Sequence, residues 1–155
     1  MIASISTELG CTEDELWSRL IQPKVLQFLA NPVLSFIPCD GSDFEKEWTV
    51  GKKYRMKLYL LKLLPLGMHQ IELIVMDKLK NQIVARESDR IARVWNHTIR
   101  FKTIGKNRLH YTDEIEIRAG LFTPVLWVFA HIFYRHRQRR WGKLMTTRKI
   151  PQGNS

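Results

Sequence analysis

Between Val33 and Ala119 the apolar residues of this 155-residue chain recur at about every second position, and a helical period returns only after Gly120. A period of two sends alternate side chains to opposite faces of a strand, so this stretch is committed to a sheet. Candidate strands run near residues 33–37, 44–50, 53–63, 69–79, 82–89, 93–104 and 108–119. Between them stand Asp40-Gly41-Ser42, Gly51, Pro65-Leu66-Gly67, Lys80-Asn81 and Gly105-Lys106-Asn107, turn-forming links too short for anything but antiparallel neighbours. Residues 2–9 add a weaker strand signal. A single sheet of this kind has one face to bury, and the only element long enough to cover it lies at the C-terminal end.

That element begins at Thr123-Pro124, with Thr123 suited to an N-cap and Pro124 to the first helical position. Its apolar run changes abruptly into Arg135-His136-Arg137-Gln138-Arg139-Arg140. The segment Leu121 to Tyr134 has 14 residues. As helix it spans roughly 21 Å, short of the about 30 Å of a hydrocarbon core, so it is not expected to cross a bilayer. Near the N-terminus Thr12 and Glu15 form a capping box ahead of Leu16, Trp17, Leu20 and Ile21 at helical spacing. Pro23 ends that helix and opens another that stops before Asn31-Pro32. The expected architecture is α+β: a curved antiparallel sheet of about seven strands, two short helices and one long C-terminal helix over a cavity. Residues 1–146 read as one domain and 147–155 as a flexible polar tail.

The formal charge of +10 is unevenly placed. Seven of the 25 Lys and Arg lie from Arg135 onward with no acid among them, and the remaining 18 face 15 Asp and Glu. The basicity therefore belongs to one end of one helix, where the macrodipole favours it, which argues against a nucleic-acid-binding surface. Arg135, Arg137, Arg139 and Arg140 beside Trp141 also suit an anionic membrane surface. Cys11 and Cys39 show neither disulfide-framework nor zinc spacing, and the N-terminus lacks signal-peptide character, so a cytoplasmic setting without a metal or other cofactor is expected. Phosphate-loop, dinucleotide-binding and nucleophile-elbow motifs do not occur.

The order of elements, together with Trp95-Asn96-His97, Tyr111-Thr112-Asp113-Glu114 and Tyr134-Arg135-His136-Arg137-Gln138-Arg139-Arg140-Trp141, resembles the SRPBCC superfamily. That superfamily includes START-like lipid carriers, polyketide cyclases and birch-pollen-allergen-like proteins. The resemblance extends from Ile5 to about Leu144 and is nearest to bacterial members for which no reaction is established. It implies a helix-grip fold and a hydrophobic small molecule, such as a lipid, quinone, polyketide or aromatic, held between sheet and helix.

Alternation then selects side chains. In the last strand Leu109, Tyr111, Asp113, Ile115 and Ile117 share one face, and in the strand before it Trp95, His97, Ile99 and Phe101 do. A hairpin closed near Gly105 places either His97 or Ile99 opposite Asp113, and both registers leave His97 within reach of the carboxylate. Three roles follow: a satisfied polar pair that fixes register, a ligand-orienting pair, or, with Tyr111, the acid–base groups of a cyclase or dehydratase. The cavity-facing set expected from the other strands is Trp48, Tyr54, Met56, Leu58, His69, Ile71 and Leu73. Arg86 joins it if Lys80-Asn81 is a two-residue turn that pairs Val75 with Arg86. Ile99, Phe101, Ile115 and Trp95 complete the sheet's share, and Leu126, Phe129, Ala130 and Phe133 supply the helix's. Val125, Val128 and Ile132 are apolar on the helix's far side, which one sheet cannot bury. They call for cover by the small helices and loops, or for a contact surface on a homodimer or a membrane.

Overall fold

The computed structural model describes residues 1–39 and 47–147. The chain runs β1 (Ile2–Leu9), α1 (Glu13–Leu20), α2 (Pro23–Ala30), β2 (Leu34–Pro38), β3 (Lys53–Leu60), β4 (Leu64–Asp77), β5 (Gln82–Asp89), β6 (Val94–Gly105), β7 (Arg108–Arg118), a single 3-10 turn (Gly120–Phe122) and α3 (Thr123–Thr146). The strands form one antiparallel sheet in the order β1-β7-β6-β5-β4-β3-β2, so the N-terminal strand closes against the last one. This is the helix-grip arrangement. The expected strand at 44–50 does not form over 47–50, and 44–46 lie outside the described residues, as do residues 148–155 of the expected tail.

Local chemistry explains most boundaries. Thr12 and Glu15 make the capping box reciprocally, and Pro23 takes a first-turn position of α2. The β3–β4 link is not Pro65-Leu66-Gly67, which lies inside β4, but Leu61-Lys62-Leu63. Leu61 and Lys62 occupy the left-handed region there, with φ of 51° and 62°. Gly67 instead sits beside a bulge where Leu66 is the extra residue. A second bulge at Ile74 and a third at Ile104 add twist, which curls the sheet toward α3. At the last corner Gly120 adopts φ +57°, and Phe122, not Thr123, stands at the N-cap of α3 without a side-chain hydrogen bond. The Thr123 hydroxyl works one residue further in, accepting from the Ala119 amide at 2.9 Å and donating to the Gly120 carbonyl at 2.8 Å.

α3 lies across the concave face and buries Ala130, Phe133, Tyr134, Arg137, Gln138, Trp141 and Leu144. Gln138 fastens it to β1 by donating from Nε2 to the Ile5 carbonyl at 2.7 Å. Opposite it the inward face of β7, Leu109 through Ile117, is closed to solvent throughout. Val125, Val128 and Ile132 stay exposed; neither the small helices nor the described loops cover them. Among the described residues no helix is long and apolar enough to cross a membrane.

Candidate functional site

The β6–β7 register pairs Ile99 with Asp113 and His97 with Ile115, so histidine and carboxylate meet on the diagonal. His97 Nε2 lies 2.8 Å from Asp113 Oδ1, which also accepts from the Tyr111 hydroxyl at 3.0 Å. Asp113 Oδ2 accepts from Gln138 Nε2 at 3.0 Å. Burial alone would raise the Asp113 pKa; His97, the charge of Arg137 and Gln138 outweigh it and hold the carboxyl below its ordinary range. The same burial, reinforced by the adjacent Asp113 charge, pushes the Tyr111 phenol well above its ordinary value.

A second cluster adjoins the first on β4 and β5. His69 on β4 faces two acids of β5, with Nε2 3.0 Å from Glu87 and Nδ1 3.3 Å from Asp89. Burial disfavours the imidazolium, yet the hydrogen bonds and charges of Asp89 and Glu87 override it and lift the His69 pKa to about 9. Asp89 is held down despite its own burial by His69 and by the Ala92 and Ile91 amides, which donate to it at 2.6 and 2.7 Å. Glu87 reaches His97 Nδ1 at 3.8 Å. The result is one polar line, Asp89, His69, Glu87, His97, Asp113 and Gln138, running across four strands to α3.

Two narrow recesses flank this line between sheet and helices, with about 560 and 670 Å3 of space including their open mouths. Trp48, Ile71, Leu73, His97 and Ile99 line the first. Leu58, His69, Trp95, Leu126, Phe129 and Phe133 line the second. Leu26, Glu87 and Arg137 line both. Arg137 is only 6% exposed, and its guanidinium carbon stands 4.8 Å from the Tyr134 ring centre and 5.9 Å from that of Phe133. Burial opposes its charge, but Tyr134, Asp113, Tyr111 and Glu87 more than offset this and keep it protonated. Its Nε is closed to solvent and has no hydrogen-bond partner among the described residues.

Several expected site residues stand elsewhere. Arg86 points outward: the β4–β5 loop spans Lys78 to Asn81, and with the bulge at Ile74 it pairs Val75 with Val84 and Arg86 with Glu72. Its neighbour Glu87 takes the inward position. Phe101 packs edge-on against Trp17 at 5.5 Å, so α1 covers it. Tyr54 carries Trp48 at 4.7 Å and accepts from the Thr49 amide, while Met56, Ile115 and Ala130 are filled core positions. Tyr111 and Asp113 are fully buried behind His97 and border neither recess. The inward acids Glu87 and Asp89 escaped the sequence reading, although Ile83, Ala85, Glu87 and Asp89 share one parity. Among the described residues no group of His, Cys, Asp and Glu converges as metal ligands.

The fold is widespread among solved structures. A protein from Chromobacterium violaceum is similar with a TM-score of 0.70 at 11% identity, covering 94% of this chain and 98% of that one. A START superfamily protein from Mycobacterium smegmatis has a TM-score of 0.68 at 9% identity, covering 94% and 97%. A conserved protein from Geobacillus kaustophilus has 0.64 at 16% identity, covering 94% and 95%. Identities this low carry the fold and nothing finer. No curated protein matches the chain. Residues 7–144 match the family described as "Domain of unknown function (DUF8410)", and the chain belongs to that family.

Proposed function

We propose that this chain, a START-like member of the SRPBCC superfamily, is a binder or carrier of a hydrophobic small molecule held between sheet and α3. The supporting observation is Arg137, a buried cation at the junction of two largely apolar recesses, whose Nε lacks a partner among the described residues. A guanidinium buried without a full set of acceptors is costly, and a ligand oxygen in either recess offers its accessible edge an acceptor. Apolar walls with one or a few directed polar groups are how small-molecule pockets achieve orientation. The ligand therefore combines a hydrophobic body with an oxygen acceptor, as lipids, quinones, polyketides and many aromatics do.

Native mass spectrometry of gently purified protein, followed by thermal shift against a lipid and aromatic library, tests this. A true ligand at a hundredfold over its Kd raises Tm by about 5 to 10 °C in a protein of this size. Arg137→Met removes the response to oxygen-bearing ligands, and Leu126→Trp narrows the second recess without touching Arg137. No bound mass and no shift with any compound refutes binding; an equal shift in Arg137→Met refutes the anchor.

A second reading, a cyclase or dehydratase, rests on His97 lining the first recess with Asp113 hydrogen-bonded behind it. There His97 transfers the proton and Asp113, with Tyr111, orients it. Turnover of a candidate polyketide unchanged in His97→Gln rejects this role.

A further inference from the structure

We infer that one end of the sheet is a docking surface for an anionic lipid membrane, and that the second recess opens onto it. Because every neighbouring pair of strands is antiparallel, the β3–β4 link, the β5–β6 link and the β7–α3 corner fall at the same end of the sheet. Each carries exposed apolar side chains. Leu63 is 84% exposed at the first link, Ile91 46% at the second, and Leu121 and Phe122 97% and 64% at the corner. Leu61, Leu64 and Val125 add to the same rim. Isolated exposed leucines need no explanation, but this many gathered from three separate loops mark an interaction surface.

Charge selects the occupant. Lys62, Arg90 and Arg93 are exposed on these same loops. The nearby acids are engaged: Glu116 pairs with Arg118 at 2.7 Å, and Asp89 is turned inward to His69 and its own turn. Apolar tips ringed by cations complement an anionic bilayer, where the tips enter the acyl boundary and the cations meet headgroups. Loop tips dipping into a fluid layer also need no matching groove. The half-exposed lining of the second recess, Leu66, Ile91, Leu126 and Phe129, borders this rim, so a hydrophobic ligand has a route that avoids water. In the basic run of α3, Arg135 and Arg139 are exposed, whereas two other arginines are engaged inside the fold. Arg137 is buried in the grip, and Arg140 stacks over the Phe28 ring at 4.2 Å while donating to the Phe28 carbonyl at 2.7 Å.

Vesicle flotation with the full chain tests the surface, using phosphatidylcholine alone and with about 30% phosphatidylserine, at about 50 and 500 mM salt. Binding is expected to the anionic vesicles at low salt and to be weakened at high salt. Arg90→Gln with Arg93→Gln should lower partitioning about 25-fold, about fivefold per cation removed from an anionic surface. Leu121→Ser with Phe122→Ser should abolish flotation with an unchanged unfolding midpoint, since both side chains are exposed. Lys102→Gln with Lys106→Gln, the same charge change at the opposite end, should bind like the unaltered chain. Three results each overturn the inference: no flotation with anionic vesicles at low salt, equal loss in the opposite-end variant, or a stable dimer that Leu121→Ser with Phe122→Ser dissociates. The last assigns the surface to a second copy.

Discussion

Replacing His69 by Gln should remove a pH dependence that the folded chain otherwise shows between about pH 6.5 and pH 9. In the fold His69 is held between Glu87 and Asp89, and its pKa rises from 6.5 to about 9. Below pH 6.5 both folded and unfolded chains carry the proton, so the stabilisation is fully present. Between the two values the unfolded chain has released it and the folded chain has not, so stability falls by about 1.4 kcal/mol per pH unit. Above pH 9 the contribution is lost, a total of about 3 kcal/mol. Other shifted groups act outside this window: Asp89 and Asp113 are lowered from carboxylate values, and burial with Glu15 pushes the Cys11 thiol up to about 11. Urea unfolding at intervals from pH 6 to pH 9 measures the effect directly. With a slope near 2 kcal/mol/M, the midpoint of the unaltered chain should drop by about 1.5 M across the window, and that of His69→Gln far less. Parallel curves for the two proteins would show that the imidazolium is not held by its two acids.

Asp113→Asn should destabilise by about 3 kcal/mol or more, because the new amide faces the Gln138 donor and the partners of a buried carboxylate lose it. Chemical denaturation reads this, and a loss below about 1 kcal/mol would contradict the network. Thr12→Ala removes the side-chain acceptor for the Glu15 amide and should cost about 1 kcal/mol, with no effect on ligand-induced thermal shift. A changed ligand response in that variant would contradict the placement of the site away from α1's first turn.

The site was legible in proportion to how regular its strands are. β6 and β7 alternate without interruption until the bulge at Ile104, and their inward residues, including His97 and Asp113, could be read by parity alone. β4 carries two extra residues, Leu66 and Ile74, and each reverses the parity that follows. The assignment of Arg86 inward failed there, and it hid Glu87 and Asp89, which the actual register brings against His69. Arg137 could be placed on the stripe of α3 that faces the core. That it lines both recesses together with Glu87 depends on how elements fifty positions apart are brought together, which no local period encodes.

Sequence by itself determined that a half-buried antiparallel sheet must be covered by one C-terminal helix, because a period of two and a period of 3.6 are properties of neighbouring residues. It also determined where the charge lies along the chain. Only the tertiary structure decided which of those charges are usable. Folding buries Arg137 and ties Arg140 to Phe28, while it brings exposed apolar and cationic side chains of three distant loops to one end of the sheet. The physical reason is that burial and proximity are set by where the sheet curls and where α3 crosses it, and both follow from bulges and long-range packing rather than from any local pattern.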